Sequence, residues 1–204
     1  MGLFNFFTQE IAMDLGTANT LIIHDDEVVV NEPSIIALNR NNMKEVLGVG
    51  KKALLMHEKT HESIKTVRPL KDGVIADFNA AELMIRELMK MIYPKKPLFP
   101  PSWRMVICIP SSITEVEKRA VRDSAEQAGA KEVYMIHEPM AAALGIGIDV
   151  EEPVGNMIID IGGGTTGITV IALAGIVCDQ SIRIAGDEFT ADIMEALRRY
   201  HSLL

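Results

Sequence analysis

The stretch N156–L173, NMIIDIGGGTTGITVIAL, decides the fold: an apolar run closes on Asp160, three consecutive glycines follow, then two threonines and a second apolar run. Glycine weakens a strand because it costs chain entropy and packs nothing, so three in a row between two apolar runs mark a tight hairpin whose backbone must come close to something. The same plan occurs earlier in the chain. Residues 11–23, IAMDLGTANTLII, again run apolar segment, Asp14, Gly16, Thr17, apolar segment. Each copy continues into further strand-like sequence, EVVVNEPSII after the first and GIVCDQSIRIAG after the second. The pattern is an internal repeat, and a duplicated unit of this size predicts two similar lobes opened by Asp14 and Asp160.

The chemistry of each turn follows from its residue types. A hairpin free of side chains at Gly162, Gly163 and Gly164 can turn successive backbone N–H groups toward an anion, and a phosphate is the natural guest. Gly16, Thr17, Ala18 and Asn19 form the corresponding loop of the first copy. Thr17, Thr165 and Thr166 add hydroxyls, while Asp14 and Asp160 suit Mg²⁺, which keeps much of its hydration and is held through few protein ligands. Two such loops would clamp one polyphosphate. Neither GxxxxGK[ST] nor a GxGxxG opening a helix is present, so a different phosphate fold is required.

Between and around the copies the chain alternates. The first 39 residues read as an antiparallel meander with a break at Pro33, and residues 40–78 read as irregular. NAAELMIRELMKMIY (79–93) has helical apolar spacing, with Asn79 and Glu82 placed to start it. RMVICIP (104–110) reads as a buried strand. ITEVEKRAVRDSAEQAGA (113–130) is a helix with Thr114 and Glu117 as a capping box and Gly129 as its stop. EVYMIH (132–137) is a strand and PMAAALGIG (139–147) a helix begun by Pro139. Strands alternating with helices predict an α/β fold with a largely parallel sheet.

Composition bounds the rest. With 48% hydrophobic and 24% charged residues over 204 positions the chain buries a real core, and its net charge of −8 argues against a nucleic-acid partner, whose affinity rests on Lys and Arg neutralising phosphates. Cys108 and Cys178 sit in apolar runs without metal or CxxC spacing and read as buried free thiols of a reducing compartment. His57 and His61 are four apart without a third ligand, and the 12 methionines read as core filler. Asp187 is placed to cap the helix that follows it. No run is long enough to span a membrane, and MGLFNFFTQE is no signal peptide. Two segments nonetheless suit a membrane surface: MGLFNFF, with Leu3, Phe4 and Phe7 on one face if coiled, and YPKKPLFPPSW (93–103), with Leu98 and Phe99 beside Lys95 and Lys96.

Taken together, DLGTANT (14–20), NEPSIIAL (31–38), VRPLKDGVIADF (67–78), HEPMAAALG (137–145), DIGGGTT (160–166) and SIRIAGDE (181–188) resemble the actin, heat-shock chaperone and sugar kinase ATPase superfamily, most closely its bacterial rod-shape-determining MreB family. The resemblance implies an actin-like ATPase fold with ribonuclease H-like lobes: a first lobe over 1–155 with a small outer subdomain inserted at about 32–77, and the start of a second lobe over 156–204. It also implies a longer chain, because the pattern beyond RRYHSLL would supply the rest of the second lobe and most of the adenine pocket. The function implied is an ATP- and Mg²⁺-dependent homopolymeric filament on the inner face of the cytoplasmic membrane. Its partners would be cell-wall-synthesis and shape-determining membrane proteins. Glu138, where strand hands over to helix, is the position the family uses to orient water for attack on the γ-phosphate. Two other readings fit the same loops: a sugar kinase type phosphotransferase, and an assembly module clamped by a nucleotide it does not hydrolyse.

Overall fold

In the computed structural model, residues 8–57, 59, 62–92 and 102–203 are described. The chain divides into two compact units: residues 1–109 with 113–136, and residues 110–112 with 137–204.

The first unit opens on the meander β1 (Thr8–Leu15), β2 (Asn19–His24) and β3 (Glu27–Pro33). The inserted section follows, with β4 (Ile36–Asn39), β5 (Asn42–Val49), α1 (Lys51–Leu54) and β6 (Ile64–Val67), then the short pair β7 (Leu70–Lys71) and β8 (Val74–Ile75). α2 (Phe78–Ile92), β9 (Ser102–Ile109), α3 (Glu115–Ala128) and β10 (Ala130–His137) complete the unit. Its main sheet has the order β10-β9-β1-β2-β3. β1 pairs parallel with β9 but antiparallel with β2, and β2 antiparallel with β3, so the sheet is mixed rather than largely parallel. The reason is connection length: hairpins join β1, β2 and β3, and only the later strands are reached through helices.

Ile11, Met13, Ile22, Met105 and Ile107 of this sheet are buried in one core cluster with Ala81, Met84, Ile85 and Leu88 of α2, whose buried positions follow helical spacing. α2 starts one residue earlier than its apolar period suggests. The Asp77 carboxylate accepts from the Ala80 N–H at 3.0 Å, so Asp77 and not Asn79 caps it. α3 carries the expected capping box, with Thr114 and Glu117 bonded reciprocally, and Gly129 ends it at φ 116°.

Residues 40–78 are not irregular. β5, β4 and β6 form a three-stranded antiparallel sheet over Ile35, Ala37 and Ala53. Its strands escape the alternation rule because β5 is exposed along its first four residues and its pairing with β4 is broken by register shifts.

The second unit comprises Pro110–Ser112, α4 (Glu138–Gly145), β11 (Asn156–Ile161), β12 (Thr166–Ala172), β13 (Gly175–Ile182) and α5 (Gly186–His201). The three strands form an antiparallel sheet in sequence order. Ala143 of α4 shares a buried cluster with Val150, Ile158 and Ile171, with Met140 packed against it. α4 therefore belongs to this unit. On the opposite face of the sheet Met157, Ile159 and Ile161 are exposed. Cys178 lies exposed on β13, correcting its expected burial, while Cys108 on β9 is half-buried.

Candidate functional site

Both copies of the repeat fold as hairpins of one design. In the first, Asp14 pairs with Leu21 and the Gly16 N–H donates to the Asn19 carbonyl at 3.1 Å. In the second, Asp160 pairs with Gly167 and the Gly162 N–H donates to the Thr165 carbonyl at 2.9 Å. Asp14 and Asp160 are both exposed, each two residues ahead of the glycine that turns the chain.

What surrounds the loops decides which of their groups remain for a ligand. In the first loop the fully buried Ser34 donates its hydroxyl to the Gly16 carbonyl at 2.6 Å and its N–H to the Ala18 carbonyl at 2.9 Å. Because the Ser34 proton is spent on Gly16, the 2.8 Å bond between Ser34 and Thr20 is donated by Thr20. Thr17 Oγ1 accepts from the Gly73 N–H at 3.0 Å. In the second loop the carbonyls of Gly162 and Gly163 accept from the Gly186 and Asp187 N–H groups at 3.1 and 2.8 Å.

Those two bonds satisfy the first N–H groups of α5. Its N-cap is Ala185 with no side-chain cap bond, so Asp187 does not cap the helix, contrary to the sequence expectation. Thr166 donates to the Ile184 carbonyl at 2.7 Å. Thr20 and Thr166, at matching places in the two copies, are thus both buried and tied inward. The outcome is similar in each hairpin: the carbonyls of Gly16, Ala18 and Asn19 in the first and of Gly162, Gly163 and Thr165 in the second are occupied by the protein. Among the described residues, no bond uses the N–H groups of Thr17 and Ala18 or of Gly163, Gly164 and Thr165. A loop with most of its acceptors spent and successive donors left over suits an anion.

Within the second unit, Glu138, Asp160, Gly162 and Thr165 line one cleft with Ser111 and Thr169. Glu138 is the first residue of α4, with His137 as N-cap and Pro139 in the first turn, as the Pro signal predicts. Neither Ser111 nor Thr169 is marked by the repeat. The only sequence signal for Thr169 is its polar side chain inside an apolar strand, and Ser111 carries none.

Among the described residues no group of three or more His, Cys, Asp or Glu gathers that could hold a metal. His57 bonds Thr66 at 2.8 Å, and His61 lies outside the described residues. Leu3, Phe4, Phe7, Leu98 and Phe99 also lie outside them. No described helix is long and apolar enough to cross a membrane.

Each of the two units carries an Asp–x–Gly hairpin, and superposition on solved relatives shows the actin-like fold. The sequence profile of the family described as MreB/Mbl protein matches residues 8–204, and the chain belongs to that family. It is 45% identical over 203 residues to the cell shape-determining protein MreB of Escherichia coli strain K12, covering 97% of this chain and 58% of that one. The crystal structure of MreB5 of Spiroplasma citri bound to ADP superposes with a TM-score of 0.85 at 38% identity, covering 96% of this chain and 58% of that one. The same protein bound to AMPPNP gives 0.83 at 40% identity, covering 95% and 58%. The chain therefore spans a little under three fifths of the length of the relatives it matches.

Proposed function

We propose that this chain carries the phosphate-binding part of an ATP-dependent, actin-like filament protein that determines cell shape by organising cell-wall synthesis at the cytoplasmic membrane. The observation that carries the reading is the division of labour in the two loops, where Ser34, Gly186 and Asp187 hold the carbonyls of Gly16, Ala18, Gly162 and Gly163 while the N–H groups of Thr17, Ala18, Gly163, Gly164 and Thr165 remain for phosphate oxygens. Relatives solved with ADP and AMPPNP support a nucleotide as the anion.

Mg²⁺ fits the donor set. Asp14 and Asp160 are hard oxygen ligands at exposed positions, and this ion is held by one or two carboxylates with the substrate's phosphates rather than by an all-protein cage. Bound there, it would neutralise charge on the phosphates. Glu138, at the mouth of α4 and in one cleft with Asp160, would take the proton of the attacking water. Leu3, Phe4, Phe7, Leu98 and Phe99 would supply weak apolar contacts to lipid that add along a filament of identical subunits.

Titration of the chain with Mg·ATP and with Mg·pyrophosphate tests the reading. The two should bind with similar, weak affinity, because the loops read phosphate. Gly163→Val, which puts a branched side chain into the phosphate space, should abolish both while the far-ultraviolet circular dichroism stays unchanged. Undiminished binding by that variant would refute the site.

A further inference from the structure

We infer that Asp179 is a positioning residue that orders one wall of the Glu138–Asp160 cleft to receive water. The inference rests on the ATPase reading above and deepens it.

Asp179 sits on β13 directly across from Thr169 of β12, which is itself across from Ile158 of β11, so its side chain shares the sheet face that carries Asp160 and Gly167. One of its carboxylate oxygens, Oδ1, accepts two hydroxyl protons, from Thr169 at 2.6 Å and from Ser111 at 2.6 Å. Both lengths are those of charge-assisted O–H···O⁻ bonds. The partners lie 10 and 68 residues away in sequence, so the arrangement is made by tertiary structure and not by a local turn. Thr169 is 1% exposed, so the direction of its hydroxyl proton is set by Asp179 and not by bulk solvent.

A hydroxyl has one proton to give. With both protons spent on Asp179, the oxygens of Ser111 and Thr169 can only accept, and these two residues line the cleft together with Glu138 and Asp160. That wall offers lone pairs and carboxylates, which repel phosphate oxygens and take a donor. The other wall is the second loop, where Gly162 and Thr165 line the same cleft and the unused N–H groups of Gly163, Gly164 and Thr165 lie. The cleft is thus sorted into a side for the anion and a side for water. Gly167 also lines it, and a Cβ there would meet nothing within 4 Å, so there is room beside Thr169 for a water molecule.

In the reaction the water oxygen bonds to the terminal phosphorus and the bond to the bridging oxygen breaks with its electron pair on ADP. The water's proton passes to Glu138. Asp179 touches none of these atoms; it fixes the acceptors that hold the water's second proton.

The test compares the parent chain with Asp179→Asn and Ser111→Ala, measuring the affinity for fluorescent AMPPNP and the single-turnover hydrolysis of saturating Mg·ATP. Asn accepts more weakly and frees both hydroxyl protons to turn into the cleft; Ser111→Ala removes one acceptor at a half-buried position and leaves the sheet intact. Both should keep nucleotide affinity within about twofold and lose hydrolysis by about tenfold. Hydrolysis at the parent's rate in either variant overturns the inference, and so does a loss of affinity in step with the rate, which would make Asp179 a brace for the fold. A parent that binds AMPPNP without hydrolysing ATP overturns it too but leaves the nucleotide reading standing, whereas a parent that does not bind AMPPNP overturns both.

Discussion

The two hairpins share one turn but not one tolerance, and replacing Gly16 or Gly162 with alanine separates them. At Gly16 a Cβ would stand 2.7 Å from the Asn19 carbonyl oxygen; at Gly162 the nearest atom, the Thr165 carbonyl oxygen, is 3.3 Å away. The first distance is one that side chains essentially never show, and the atom in the way is main chain, so the turn itself must open. Opening it stretches the 3.1 Å bond from Gly16 to Asn19 and draws the Gly16 carbonyl from the Ser34 hydroxyl, which is fully buried. Losing a backbone bond costs about 1 kcal/mol, and a buried hydroxyl without an acceptor about 1–3 kcal/mol. Alanine returns about 0.4–1 kcal/mol by narrowing the unfolded ensemble. Gly16→Ala should therefore destabilise the first unit by about 1–3 kcal/mol. At Gly162 a shift of a few tenths of an ångström suffices, and the two effects nearly cancel.

Trp103, the chain's only tryptophan, is buried in the core of the first unit, so its fluorescence in urea reports that unit alone. With a slope of about 2 kcal/mol per molar, Gly16→Ala should lower the midpoint by about 0.5–1.5 M. Gly162→Ala lies in the second unit, which Trp103 does not report, and should leave the midpoint followed by far-ultraviolet circular dichroism in place. An unmoved tryptophan midpoint in Gly16→Ala, or a circular-dichroism midpoint that falls as far in Gly162→Ala as in Gly16→Ala, would refute the reasoning from close contact.

Three further outcomes are expected. Glu138→Ala should retain Mg·ATP and lose hydrolysis by about a hundredfold, read as phosphate release at saturating nucleotide; an unchanged rate would return Glu138 to the helix terminus it also serves. Arg104 joins Glu132 of β10 and Glu10 of β1, and its hydrogen bond, helped by Tyr134, holds the Glu132 carboxyl below its ordinary value of 4.5. A depressed carboxylate contributes stability above its unfolded pKa and loses it as pH falls through the folded one. The urea midpoints of the parent and Arg104→Gln should therefore differ at pH 7 and converge below about pH 4.5, and a gap constant with pH would show that the charge pair plays no part. Finally, assembled protein should pellet with anionic liposomes while monomer scarcely does, and Leu98→Ser with Phe99→Ser, or removal of residues 1–7, should each reduce the pelleted fraction without changing ATP affinity. Equal pelleting by a chain carrying all these changes would assign those apolar residues to protein packing.

The sequence by itself determined whatever is encoded within a few residues. The Asp–x–Gly hairpins at Asp14 and Asp160 were legible because turn and flanking strands adjoin, and the capping box of Thr114 and Glu117 with its stop at Gly129 because a helix end is satisfied by its own neighbours. The resemblance to actin-like ATPases rests on several such short motifs in a fixed order. Tertiary structure decided what each polar group is for, since that depends on partners far along the chain. Thr166 looks like a phosphate donor in GGGTT, yet it gives its proton to Ile184, 18 residues on, whereas Thr17 accepts from the Gly73 N–H across 56 residues and keeps its own proton to give. Asp187 resembles a helix cap, but the carbonyls of Gly162 and Gly163 had already satisfied the first N–H groups of that helix. Asp179 and Ser111 carry no motif, and only the fold brings them within 2.6 Å of one another. A hydroxyl or carboxylate has few hydrogen bonds to make, and in a packed interior the nearest competent partner takes them first; local sequence names the group, and the distant partner fixes its role.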